Sequence, residues 1–116
     1  MKVNVTLGSE FVRQFKRLKK KYKSLTNDYA LFLASLKENP MQGTDLGKGI
    51  RKIRMTITSK GKGKSGGARI ITLNVQISQS PEEVIDVTLL TIYDKNEMES
   101  ISDNFIQSLV KDIQKK

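Results

Sequence analysis

The chain contains no cysteine and no histidine. Without cysteine there is no disulfide frame, no thiolate nucleophile and no Cys-ligated zinc or iron–sulfur site, a usage that suits a reducing compartment. Without histidine the commonest general base and metal ligand is missing, so any catalysis must run on Lys, Arg, Tyr or carboxylates. Long apolar runs are absent too: the longest, Tyr29 to Ala34, is six residues, against the roughly 20 that span a bilayer. The opening Met1-Lys2-Val3-Asn4-Val5 carries no apolar signal-peptide core. These absences point to a soluble cytoplasmic protein with no membrane partner. A last absence is local, for no Asp or Glu occurs between Asp45 and Glu82.

What is present suits one domain, residues 1–116, with 37% apolar residues and a net charge of +9. Such an excess points to a polyanion or an acidic partner. Val3, Val5 and Leu7 alternate with polar residues up to Gly8, the period of a half-buried strand. Ser9 is placed to cap a helix whose apolar positions, Phe11, Phe15, Leu18, Tyr22 and Leu25, recur at spacings of four and three. Ser24 or Asn27 can start a second helix over Tyr29, Phe32, Leu33 and Leu36, ended by Asn39-Pro40. Glycines from Gly43 to Gly49 mark a loop.

Ile53, Met55 and Ile57 then alternate with Lys52, Arg54, Thr56 and Thr58, giving a strand with one apolar and one cationic face. A Gly/Lys/Ser loop leads to a third strand with Ile71, Leu73, Val75 and Ile77 inward. Val84 to Tyr93 is apolar on both parities, which places it centrally in the sheet. Asp94 or Asn96 opens a last helix carrying Met98, Ile101, Phe105, Leu109 and Ile113. The expected class is α+β in the order β-α-α-β-β-β-α, a helical hairpin and a C-terminal helix against one face of a small, mainly antiparallel sheet.

The acid-free stretch holds Lys48, Arg51, Lys52, Arg54, Lys60, Lys62, Lys64 and Arg69. Concentrating like charges costs repulsion that a mixed surface avoids, so this half is the expected polyanion footprint. The basic face of the first helix has an ordinary reading as a solvated surface. Gly61-Lys62-Gly63-Lys64-Ser65-Gly66 matches G-x-G-x-x-G by letter. A dinucleotide fingerprint needs a helix after it, and here a strand is expected. Paired carboxylates for two-metal chemistry are missing from the same half, so no metal or other cofactor is expected.

Ile50-Arg51-Lys52-Ile53-Arg54, the loop from Ser59 to Arg69 with its Gly66-Gly67-Ala68-Arg69 ending, and Ile92-Tyr93-Asp94-Lys95 together resemble the RelE/ParE toxin superfamily, in its HigB-like RelE branch. The opening around Phe11, Phe15, Lys19-Lys20-Lys21-Tyr22 and Ser24-Leu25 agrees, so the resemblance covers nearly the whole chain. It implies a RelE-like fold and a toxin of a type II toxin–antitoxin system: an mRNA interferase, that is, an endoribonuclease cutting messenger RNA in the ribosomal A site and so inhibiting translation. The partners it implies are the ribosome, messenger RNA and a cognate antitoxin, a small helix-turn-helix protein, with the free toxin a monomer.

By the same resemblance Lys52, Arg54, Arg69 and Lys95 are the catalytic set. Ile101 stands about where RelE-type enzymes carry a tyrosine; Tyr93 is near enough to substitute for it, or is a strand-end core aromatic. Lys60, Lys62 and Lys64, with Arg51 and Lys48, are the expected contacts to RNA or ribosome. Arg13, Lys16, Arg17, Lys20 and Lys21 are the expected antitoxin surface.

Lys52 and Arg54, two apart on a strand, point to one face, while Arg69 has the parity of the inward Ile71 and Leu73. Cleavage of RNA by its own 2′-hydroxyl needs a base, stabilisation of the charged phosphorane and an acid for the leaving oxygen. A lysine whose neutral amine is favoured by nearby cations can serve as the base. Two alternatives compete: a ParE-like toxin acting on DNA gyrase without nuclease activity, and a plain RNA-binding module.

Overall fold

The computed structural model describes residues 1–60 and 67–114. The chain runs β1 (Lys2–Leu7), α1 (Ser9–Lys21), α2 (Leu25–Glu38), β2 (Thr44–Gly47), β3 (Ile50–Met55), β4 (Ala68–Ser78), β5 (Val84–Asp94) and α3 (Asp103–Gln114), with a 3₁₀ turn at Thr58–Lys60 after β3. This is the expected α+β class, a helical hairpin and a C-terminal helix around one sheet. The short β2 is the exception, lying inside the stretch expected to be loop. It forms a hairpin with β3, turned through Lys48 and Gly49 in the left-handed region (φ 55 and 83).

The sheet order is β1-β5-β4-β3-β2. β1 is parallel to β5, and the other neighbours are antiparallel. β5 is therefore an interior strand, as its two-sided apolar pattern requires.

Helix boundaries follow local chemistry. Gly8, not Ser9, is the N-cap of α1. Its amide donates to the Leu89 carbonyl at 2.9 Å, and a Cβ there would sit 2.9 Å from that same oxygen, so only glycine fits this junction. α2 ends at Glu38, with Asn39 as C-cap just before Pro40, as the sequence predicts. α3 begins later than expected, at Asp103, because β5 runs on through Asp94. The Ser102 hydroxyl accepts from the Phe105 amide at 3.1 Å, a cap at the true start. Met98 thus lies outside the helix, Phe105 is exposed, and Ile106 and Leu109 are the buried positions.

The three helices do not share one sheet face. α1 and α2 cover one side, where Phe11, Leu18, Leu25, Phe32 and Leu36 meet Ile53, Met55, Ile70, Val87, Leu89 and Ile92. α3 covers the other, where Ile106 and Leu109 meet Ile50, Ile71, Leu73, Leu90 and Tyr93. Strands apolar on both parities need cover on both faces, and that decides against the one-sided arrangement.

A bulge reassigns β5. Ile71 pairs with Thr91 and Thr72 with Leu89, leaving Leu90 extra. Ile92 therefore joins Ile85, Val87 and Leu89 on the hairpin side, against its parity, while Leu90 and Tyr93 face α3. Val75 and Ile77, expected inward, are exposed. They lie on β4 beyond Leu73, the last residue of that strand in the α3 core. No helix among the described residues is long and apolar enough to cross a membrane.

Candidate active site

In an antiparallel sheet, residues opposite one another share a face with Cβ atoms about 4.5–5.5 Å apart. Arg54 is opposite Arg69, and Arg69 is opposite Tyr93. Two residues along, Lys52 is opposite Ile71 and Ile71 opposite Thr91. The result is two adjacent rows, Lys52–Ile71–Thr91 and Arg54–Arg69–Tyr93, roughly 6.5 Å apart along the strands. Both lie on the α3 side, since Ile71 and Tyr93 belong to that core. The parity Arg69 shares with Ile71 and Leu73 is thus compatible with its standing beside Arg54. The face is inward under α3 and open toward Lys52 and Arg54, which are partly buried and exposed respectively.

Two groups in these rows are buried without full satisfaction. Arg69 is 7% exposed. Its guanidinium donates to the Ala68 carbonyl at 3.3 Å, and no carboxylate pairs with it among the described residues. A buried cation without an anion is costly. Tyr93 is 4% exposed, and its hydroxyl has no hydrogen-bond partner among the described residues. Burial pushes that hydroxyl above its ordinary pKa, with the Arg69 charge pulling the other way. Tyr93 and Ile101 line one cleft of about 230 Å³, so the tyrosine stands beside the position it was suggested to replace.

Lys95 lies one residue beyond β5. Its amide donates to the Gly67 carbonyl at 3.2 Å and its ammonium is 3.9 Å from Glu99. The sheet thus brings Lys52, Arg54, Arg69 and Tyr93 to one face, with Lys95 at the end of that face.

The expected RNA contacts separate. Lys60 is not a solvated loop cation: its ammonium is 2.8 Å from Asp94, with the lysine side chain 9% and the carboxylate 0% exposed. Asp94 has the hairpin-side position next to Ala68, so Lys60 faces away from the Lys52 row. Arg51 is partly buried and structural, with Nε donating to the Gln42 carbonyl at 2.9 Å and Nη2 to the Gly43 carbonyl at 3.1 Å. Lys48 is exposed at the β2–β3 turn. Lys62 and Lys64 lie outside the described residues.

The expected antitoxin surface on α1 is also split. Arg17 holds Glu97 through two bonds of 2.8 and 3.2 Å, and Lys21 reaches the same carboxylate at 3.1 Å. Arg13 pairs with Glu10. Lys16 and Lys20 are exposed and make no ion pair among the described residues.

Sequence reasoning missed two buried carboxylates. Asp94 accepts from Lys60, from the Tyr22 hydroxyl and from the Asn96 amide at 2.9 Å. Burial alone would raise its pKa, but the bonds from Lys60, Tyr22 and Asn96 outweigh that and hold it at about 2. Asp28 accepts from the Ser24 hydroxyl at 2.6 Å, the Thr58 hydroxyl at 2.6 Å and the Thr58 amide at 2.9 Å. It thereby ties α2 to the turn after β3. Here too burial raises the group while the three donors lower it further, below its ordinary value. No cluster of three carboxylates able to hold a metal ion is present among the described residues. No family model matches the chain.

Proposed function

We propose that the protein is the toxin of a type II toxin–antitoxin pair, a cytoplasmic endoribonuclease that cuts messenger RNA in the ribosomal A site. The observation carrying this reading is the Arg54–Arg69–Tyr93 row with Lys52 beside it. It gathers cations from two strands around a buried arginine that no carboxylate neutralises among the described residues. Lys52 takes the proton from the ribose 2′-hydroxyl, whose oxygen attacks the adjacent phosphorus. Arg54 and Arg69 hold the phosphorane charge, and Arg69 enters the reaction already desolvated, which strengthens each contact it makes. The P–O5′ bond breaks as Tyr93 or Lys95 supplies a proton to the leaving oxygen. The products are a 2′,3′-cyclic phosphate and a free 5′-hydroxyl. No redox step or additional reactant enters this balance.

The antitoxin docks on the outer face of α1 through the exposed Lys16 and Lys20, with Arg13, Arg17 and Lys21 around them. It silences the toxin by making it too large for the A site. The test is a reconstituted translation reaction in which messenger ends are mapped after adding the purified protein. New ends at A-site codons are expected. Lys52→Ala or Arg54→Ala should slow their appearance by tenfold or more, since one preorganised charge contact is worth about 10²–10³ in rate. Trapped gyrase–DNA complexes with no new messenger ends would overturn the reading.

A further inference from the structure

A cleft of about 350 Å³ opens between α2 and the outer edge of β3, and Arg54 is part of its wall. β2 pairs with β3 only as far as Lys52, so past Ile53 that edge has no strand beside it among the described residues. The floor is apolar, made by Phe32 and Met55, both buried. The rim is polar, with Ser35, Gln42 and Thr56, except for Leu31, which is 73% exposed. Among the described residues Arg54 is the only cation in the lining, and it makes no ion pair. It stands where the α3 face and this cleft meet.

We propose that this cleft is a nucleobase subsite, holding the base of a nucleotide whose phosphate sits on Arg54 and Arg69. The inference rests on the nuclease reading and adds to it where the base of the nucleotide on the 5′ side of the scissile phosphate is held. A base is a flat apolar surface with hydrogen-bonding edges, and an apolar floor with a polar rim complements it. The size lies at the small end of ligand pockets, which run from about 300 Å³, and suits one nucleoside rather than a longer segment. A second phosphate does not suit the cleft, because its remaining charged group is the Asp28 carboxylate, which its three donors keep ionised. An extended peptide added to the β3 edge needs a longer free strand than the few residues after Lys52 offer. The Ser35 hydroxyl accepts from the Gln42 side-chain amide at 3.0 Å, so among the described residues the Gln42 side-chain oxygen Oε1 and the Ser35 hydroxyl proton remain to meet base edges.

The test is ¹⁵N NMR titration of the full chain with adenosine 3′-monophosphate and, separately, inorganic phosphate. Both probes should move the amides of Arg54, Arg69 and Tyr93, but only the nucleotide should move Leu31, Ser35, Gln42 and Thr56. Stacking and burial of one base should make the nucleotide bind about tenfold to a hundredfold tighter than phosphate. Leu31→Glu should erase that advantage, and the dispersion of its spectrum shows whether the variant is folded. Nucleotide shifts confined to the Arg54–Arg69–Tyr93 row, or an advantage retained in Leu31→Glu, would overturn the subsite and leave the nuclease reading standing. No shift in either place with either probe would overturn the subsite together with the phosphate clamp on which that reading depends.

Discussion

The Lys60–Asp94 pair gives the most exacting test of how this fold is held together. Both groups are buried, 2.8 Å apart, and the carboxylate also accepts from Tyr22 and the Asn96 amide. Lowering Asp94 from the usual 3.8 to about 2 corresponds to about 2 kcal/mol of stability, at roughly 1.36 kcal/mol per pH unit. Because the folded value lies below the unfolded one, this contribution is complete above about pH 4 and is lost as the pH falls from 4 toward 2. Asp94→Asn keeps the shape and one acceptor but takes away the negative charge facing the Lys60 ammonium. Removing one partner of a buried pair costs about 3–5 kcal/mol. The low end, about 3, is expected because Lys60 retains some access to water. At about 4 °C per kcal/mol for a chain this size, the melting temperature should fall by about 12 °C. Lys60→Met added to Asp94→Asn should restore most of the loss, since a buried pair replaced as a unit is nearly neutral. Urea unfolding of the two single variants and the double closes the cycle, and a coupling energy of about 2 kcal/mol is expected. Effects that add within about 0.5 kcal/mol, or a loss of stability between pH 4 and 2 that is as steep in Asp94→Asn as in the parent chain, would refute the pairing as a source of stability.

Asp28→Ala leaves the Thr58 amide and two hydroxyls without their acceptor and should cost about 2–3 kcal/mol, read as a lower urea midpoint at unchanged slope. Glu97→Ala removes the exposed pairs with Arg17 and Lys21; its cost should stay below about 1 kcal/mol and shrink further in 1 M salt. Gly67→Ala would put a Cβ 2.2 Å from the Met55 carbonyl oxygen, so the β3–β4 register must shift, and cleavage on ribosomes should fall with stability because Arg54 and Arg69 face each other across that register.

The fold class was legible because its signals are local. The four-and-three spacing from Phe11 to Leu25 survives in α1 and the start of α2, and Asn39-Pro40 stops α2 as its backbone restrictions require. What failed was whatever depended on a neighbouring strand. Thr44–Gly47 is polar and glycine-rich, so nothing in it marks a strand, and it becomes one only because β3 offers a free edge up to Lys52. Asp94 was misread as a helix start, a common role for aspartate. Its actual partners lie 34 and 72 residues away, a separation at which local pattern carries no information.

The site was half legible for the same reason. Lys52 and Arg54 share a strand, so their common face follows from parity alone. Arg69 could not be placed beside them while the sheet was taken to bury a single face, for then an arginine with the parity of Ile71 and Leu73 had to point into the core and away from the cations. Two-sided cover removes the conflict. The α3 side is core near Ile50, Leu73 and Leu90 and becomes a cationic surface toward Arg54, with Arg69 at the boundary between them. That boundary is where an arginine can be desolvated by the core and still face an incoming phosphate. The Leu90 bulge supports the arrangement. Were Leu90 held in the ladder instead of bulged, the strict alternation of β5 would group it with Ile92, and Tyr93 would face α1 and α2 instead of Arg69. Deleting Leu90 should therefore leave Thr91, Ile92 and Tyr93 in the register they already hold, at the cost of one side chain of the α3 core, and a deleted chain in which inter-strand NOEs no longer join Arg69 to Tyr93 would show that Leu90 is not the residue the ladder skips.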